Sequence, residues 1–133
     1  MSDEVTVPIT ADVDILAVRQ KARALAAALH FSSGELTLIA TAISEVARNI
    51  VVYAQRGEIV LRIVEAGGRR GLMVIARDRG PGIGDIEQAM HDGFSTSGSL
   101  GLGLPGARRL MDEFEIVSAS GRGTVITMTK WAS

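Results

Sequence analysis

Eight of the fifteen glycines in this chain of 133 residues fall between Gly80 and Gly106. Inside a regular helix or strand each would cost about 0.5–1 kcal/mol relative to alanine. The stretch is therefore no ordinary core segment. It opens Asp78-Arg79-Gly80-Pro81-Gly82-Ile83-Gly84 and closes Gly101-Leu102-Gly103-Leu104-Pro105-Gly106. Glycines at this density serve tight curvature, positive φ or close approach of main chain to a ligand. A helix-compatible run follows, with Leu104, Ala107, Leu110, Met111 and Phe114. The N–H groups at a helix start, aided by the helix dipole, attract anions. The expectation is a nucleotide pocket covered by a lid loop over residues 85–100.

Composition narrows the field. A chain of 133 residues with 47% hydrophobic content is expected to form a single globular domain, residues 1–133, rather than a disordered chain. Fourteen basic and fifteen acidic side chains nearly cancel and no basic block occurs, which argues against nucleic acid as a partner. Cysteine is absent, which excludes disulfides and thiol chemistry and is compatible with the cytoplasm. Asp3 and Glu4 precede the first short apolar stretch, the reverse of a signal peptide. No uninterrupted apolar run approaches the roughly 20 residues of a membrane span. A soluble cytoplasmic protein without a membrane partner is expected.

Along the chain, Val5 to Ile9 reads as a strand. Asp12 and Asp14 favour a helix start, and Ile15, Val18, Ala22, Leu25 and Leu29 form its apolar face. Arg19, Lys21 and Arg23 lie off that face and read as solvated, with an acidic partner as the alternative. Ser32 and Glu35 have the spacing of a capping box, which predicts a second helix from near Ser33 to before Gly57. Leu36, Ile39, Ile43, Val46 and Ile50 make its buried stripe. Thr41, Glu45, Asn49 and Tyr53 make a second stripe, in which Glu45 and Asn49 project side by side one turn apart. Glu58 to Val64 and Leu72 to Ala76 form a hairpin around a turn at residues 67–71, and the second strand delivers Asp78 at its end. After the lid and a third helix, Glu115 to Ala119 and Thr124 to Lys130 make a last hairpin. Clustered rather than alternating strands favour an α+β two-layer sandwich over a doubly wound sheet.

Three polar residues in this plan suit nucleotide chemistry, and each also has a bland reading. Asp78 at a strand end can accept a hydrogen bond from an exocyclic amino group such as adenine N6, or simply start a turn before Gly-Pro-Gly. Asn49 offers a hard amide oxygen suited to Mg2+. Glu45 can orient or deprotonate an attacking hydroxyl. A Glu–Asn pair on a helix flank is otherwise merely solvated, although asparagine is a mild misfit in an apolar helix. The second glycine cluster is not a Walker loop, because no Gly-Lys-Ser/Thr occurs. Nor does it follow a strand within a βαβ unit, as a dinucleotide fingerprint would.

Taken together, the motifs are far more specific. Helical Glu-x-x-x-Asn, then Asp-x-Gly-x-Gly after a strand, a lid closing on Gly-x-Gly, and a terminal Gly-x-Gly-Thr resemble the GHKL ATPase superfamily over nearly the whole chain. Glu45 and Asn49 match its N-box, Asp78, Gly80 and Gly82 its first glycine box, and Gly101 and Gly103 its second. Phe94 stands where the small lid motif would be, and Gly121-Arg122-Gly123-Thr124 resembles the terminal box. The runs Ser44-Glu45-Val46-Ala47-Arg48-Asn49-Ile50 and Asp92-Gly93-Phe94-Ser95-Thr96-Ser97-Gly98 are similar to the anti-sigma-factor-type serine/threonine kinases, in particular the stressosome switch kinases. So is Arg109-Leu110-Met111-Asp112-Glu113-Phe114.

That resemblance implies a Bergerat-type two-layer α/β sandwich, with a mixed, mostly antiparallel sheet carrying three helices on one face. It implies binding of ATP with Mg2+ and phosphorylation of serine or threonine on STAS-domain scaffold or antagonist proteins. It also implies subsequent activation of a PPM-type phosphatase by binding. On matching positions, Glu45 would be the base and Asn49 the Mg2+ ligand, while Asp78 would read adenine. Gly80, Gly82, Gly84, Phe94, Gly101, Leu102, Gly103 and Leu104 would line the nucleotide, and Thr124 would lie near the adenine through a water. One departure from the pattern is that residues 93–105 contain no lysine or arginine. Charge compensation would fall to Mg2+, the helix terminus and Arg108 or Arg109. The alternative is a nucleotide-dependent binding module, either an anti-sigma factor or a phosphatase activator, with little kinase activity. A histidine kinase core is disfavoured, since no dimerisation segment precedes the domain and His30 and His91 lack an acceptor context. Oligomeric state is not readable.

Overall fold

The computed structural model describes residues 4–80, 103–119 and 121–132. Strand β1 (Glu4–Ile9) leads into helix α1 (Asp12–Ala26) and helix α2 (Ser33–Asn49), which continues as a π-helical turn over Ile50–Ala54. Strands β2 (Gly57–Ala66) and β3 (Arg69–Asp78) follow, then helix α3 (Leu104–Leu110) and strands β4 (Glu113–Ala119) and β5 (Gly123–Trp131). The sheet order is β1-β2-β3-β5-β4, and among the described residues every pairing is antiparallel, where a mixed, mostly antiparallel sheet was expected. One face of the sheet carries the helices, with α2 packed between α1 and α3. This is the expected α+β two-layer sandwich.

Local chemistry accounts for the boundaries. The Ser32 hydroxyl accepts from the Glu35 N–H at 3.0 Å while the Glu35 carboxylate accepts from the Ser32 N–H at 2.9 Å, so the capping box closes in both directions. At the start of α1 the cap comes from within the helix. Asp14 Oδ2 accepts from the N–H groups of Thr10 and Ala11 at 2.8 and 3.0 Å and from the Thr10 hydroxyl at 3.1 Å. Those bonds, the Thr10 N–H foremost, hold the Asp14 carboxyl below its usual range. A carboxyl whose pKa is lower folded than unfolded contributes stability above its unfolded pKa and loses it as pH falls through the folded one. The stability advantage of the native protein over Asp14→Asn is therefore expected to shrink on acidification, as denaturant midpoints across the carboxylate range would show.

Between the β2 and β3 strands Gly67 and Gly68 both take positive φ, 58° and 78°, so the turn is two residues rather than the five expected. Helix α1 stops one turn early, and Leu29 is buried from the loop beyond it. Phe114 is corrected outright. It was expected on the third helix but lies in β4, paired with Met128, because α3 ends at Leu110 after two turns. The α2 stripe is borne out, with Ile39, Ile43, Val46 and Ile50 at most 2% exposed and Leu36 at its start only partly buried. They meet Ile59, Leu61, Leu72, Val74, Ile126 and Met128 from the sheet in one continuous core. Residues 33–54 are long and apolar enough to cross a membrane by length and composition. Here that stretch is the central core helix and its π-helical extension, and its apolar side lies against the sheet and its helical neighbours.

Candidate functional site

Five strands bring their ends to one edge of the sheet beneath the C-terminal end of α2. Ile9 pairs with Gly57, Gly57 with Asp78, Asp78 with Thr124 and Thr124 with Ser118. Cross-strand partners project to the same face, and Ile126 and Met128, two and four residues beyond Thr124, place that face in the helix-covered core. Asp78 and Thr124 are thus neighbours at the boundary between the two layers.

Glycines make this row compact. A Cβ at position 57 would run into the Arg77 carbonyl oxygen and come within 3.0 Å of both Asp78 Cβ and Ile50 Cγ2. The first residue after Asn49 therefore packs down beside Asp78, and the helix end and the strand end share a corner. Gly80 continues the turn. A Cβ there would lie 2.5 Å from Ala54 Cβ, so the strand exit and the π-helical turn touch backbone to side chain. Asp78 Oδ1 accepts from the Gly80 N–H at 2.9 Å, the aspartate-initiated turn that the bland reading expects.

Gly123 is the tightest point. Its φ is +87°, and a Cβ would run into the Asp78 carbonyl oxygen and lie 2.9 Å from Arg79 Cα. A left-handed conformation costs a side-chain-bearing residue about 1–2 kcal/mol before any clash. Gly123→Ala is expected to destabilise the fold by at least that amount, read as a lower urea midpoint with an unchanged slope.

On α2, Glu45 is buried at 6% exposure and its carboxylate meets the Arg48 guanidinium at 3.3 Å. Asn49 is half-buried one turn later, while Thr41 and Tyr53 from the same stripe are exposed. Thr41 instead gives its hydroxyl proton to the Thr37 carbonyl at 3.0 Å. Thr124 is buried at 3% exposure. Its hydroxyl lies 2.8 Å from that of Ser118, which also donates to the Gly123 carbonyl at 3.0 Å. Ser118 was not anticipated.

The second glycine cluster enters the described residues at Gly103, the N-cap of α3 with φ +68°. Leu104, Pro105, Gly106 and Ala107 are buried, whereas Arg108 and Arg109 are exposed. Pro105 has no N–H, and that of Ala107 already bonds to the Gly103 carbonyl at 3.2 Å, so the first turn offers fewer anion donors than a proline-free helix. Gly82, Gly84, His91, Phe94, Gly101, Leu102 and the expected lid lie outside the described residues. The described residues therefore bring Glu45, Asn49, Asp78, Gly80 and Thr124 to one end of the sandwich.

A family model described as histidine kinase-like ATPase domain matches residues 9–130. The chain is 51% identical over 131 residues to the serine/threonine-protein kinase RsbT of Bacillus subtilis, covering 98% of both chains. It is 35% identical over 114 residues to the anti-sigma F factor of Thermoanaerobacter sp. (strain X514), covering 81% of this chain and 78% of that one. Among solved structures it resembles the RsbU and RsbW domains of a Mycobacterium tuberculosis protein, with a TM-score of 0.62 at 26% identity. That match takes in 98% of this chain but only 32% of the other, so the present chain spans about a third of it. Motif order, sheet topology and near full-length similarity converge. The chain belongs to the histidine kinase-like ATPase family, and within it to the serine/threonine-protein kinases of the RsbT type.

Proposed function

We propose that this protein is the kinase of a partner-switching cascade, transferring the γ-phosphoryl group of ATP to serine or threonine on STAS-domain scaffold or antagonist proteins. It then activates a PPM-type phosphatase by binding it, and works in the cytoplasm. The observation that supports this reading is that Ile50, next to Asn49, packs beside Asp78, so the end of α2 that carries the buried Glu45 and the half-buried Asn49 meets the Asp78–Thr124 row. Extensive identity to RsbT supports the activity, and the anti-sigma F relatives support protein partners of the sigma-regulating kind.

In this reading Asp78 accepts the adenine amino group at the layer boundary, and Thr124 adds a second oxygen beside it. By motif position alone, Gly80, Gly82 and Gly84 would serve the base, and Phe94, Gly101, Leu102, Gly103 and Leu104 would serve the rest of the nucleotide. Glu45 takes the proton of the acceptor hydroxyl as its oxygen attacks the γ-phosphorus. The bond from that phosphorus to the β–γ bridging oxygen breaks and ADP departs. Most of the acceleration comes from holding the reactants in line and from electrostatics.

The donor set fits Mg2+ held mainly by phosphate and water. Asn49 supplies one hard amide oxygen, and among the described residues no three His, Cys, Asp or Glu side chains gather into a metal cluster of their own. When bound, the ion neutralises phosphate charge, which matters in a chain lacking lysine and arginine over residues 93–105.

Incubation with labelled ATP and a cognate STAS-domain protein should label a hydroxyl residue. The similarity to anti-sigma F factors favours a second reading, a nucleotide-gated binding module. ATP affinity with no transfer to any candidate partner would select it.

A further inference from the structure

Arg48 is held in an ion pair at the reacting end of α2. Its guanidinium lies 3.3 Å from Glu45 Oε1, and with Glu45 only 6% exposed the bland reading is an arginine that accompanies a buried carboxylate. Helix geometry is more specific. At about 100° per residue, the positions three and four beyond Glu45 fall about 60° to one side of it and about 40° to the other. Arg48 and Asn49, both half-buried, therefore flank Glu45 on one face of α2. Of Thr41, Glu45, Arg48, Asn49 and Tyr53, the arginine alone is a cation. It stands beside the carboxylate that the proposed function assigns to the acceptor hydroxyl.

A triphosphate brought to this face meets two repulsive features, the Glu45 carboxylate and the partial negative charge toward the C-terminal end of a helix. Phosphoryl transfer depends on positive charge at the transferring group. Residues 93–105 contain no lysine or arginine. The first turn of α3 is short of free donors, since Pro105 has none and the Ala107 N–H is already bonded. Arg108 and Arg109 are exposed in the last turn of α3, beyond its glycine N-cap. The geometry points to Arg48 as a phosphate-contacting residue, whose planar fork spans the Glu45 carboxylate and a γ-phosphate oxygen. There it offsets the charge on the phosphoryl oxygens while the bond to the β–γ bridging oxygen breaks. The inference rests on the nucleotide reading of Glu45, Asn49 and Asp78 given above.

The test is a ratio of affinities, ATP against ADP with Mg2+ present, measured by calorimetry on full-length protein. Only ATP carries the γ-phosphate, so losses from a partly folded preparation cancel in the ratio. Arg48→Met keeps an unbranched apolar stem and removes the charge. It should lower the ratio by about ten- to a hundredfold relative to native, the worth of one charge-assisted hydrogen bond, with ADP affinity near native. Its kcat should fall by about 10²–10³-fold. Arg48→Lys restores the charge without the fork and should regain most of the ratio. Once its companion is gone, the Glu45 charge would itself repel a γ-phosphate. The same substitution is therefore compared in a Glu45→Gln background, where the loss of ratio should persist. A native ratio in Arg48→Met, a lysine variant that behaves like the methionine one, or a loss that vanishes in the Glu45→Gln background overturns the role of Arg48 alone. Native protein that binds neither nucleotide overturns the nucleotide reading instead.

Discussion

Glu45→Ala should lose phosphoryl transfer to protein hydroxyls by about 10²–10⁴-fold, the usual worth of a positioned general base. The loss is expected in kcat rather than KM, because proton removal is needed in the transition state and not for binding. Local geometry supports this split. Glu45 is 6% exposed on a helix whose buried stripe fixes its orientation, and Arg48 holds its carboxylate from one side at 3.3 Å. Asn49, the proposed Mg2+ ligand, follows one turn later on the same stripe of α2. Glu45→Gln is the cleaner variant, since it keeps shape and hydrogen bonding but cannot accept the proton. It should show the same loss with a thermal midpoint close to native. Undiminished labelling in either variant would remove Glu45 from the mechanism.

How far the sequence carried this picture depends on what kind of force sets each feature. Side-chain periodicity reports burial directly, so the α2 stripe and the strands were legible. The capping box was legible because two side chains satisfy two amides across a fixed spacing. Phe114 was misplaced because Leu110, Met111 and Phe114 continue a helical spacing that tertiary pairing overrides. Asp112 N–H bonds to the Thr129 carbonyl at 3.0 Å, and from there the chain is a strand.

Close approaches were harder to see. Nothing in the identity of Gly57, Gly80 or Gly123 says which atom fills the missing Cβ, since that depends on residues far away in sequence. The π-helical turn is a further case. Residues 50–54 continue an apolar helical pattern, and only the bond from the Gln55 N–H to the Ile50 carbonyl at 2.8 Å, with Gln55 at φ +69°, reveals the widened turn against Gly80. Ser118 did leave a trace. It and Thr124 stand at equal distances either side of Gly121, the spacing of partners across a tight hairpin, so two facing hydroxyls were there to be paired.

Asp78→Asn tests the other half of the site, and the structure sharpens what it should do. Oδ1 of Asp78 is already committed to the Gly80 N–H at 2.9 Å, which holds the turn in place. An asparagine would keep its carbonyl oxygen on that N–H, because the amide nitrogen has no lone pair to offer. Its NH2 group would then take the position of Oδ2, donor to donor against the adenine amino group that the proposed function places there. Two effects add in the same direction: a charge-assisted bond worth about 1.5–3 kcal/mol is lost, and a repulsive contact replaces it. ATP affinity is expected to fall by at least about tenfold and up to a hundredfold. The fold should be spared, since the turn bond survives, and the urea midpoint should stay near native. Calorimetry showing native affinity in a folded Asp78→Asn protein would contradict the adenine assignment. A large loss of affinity with an intact midpoint would place the base at the Asp78–Thr124 row.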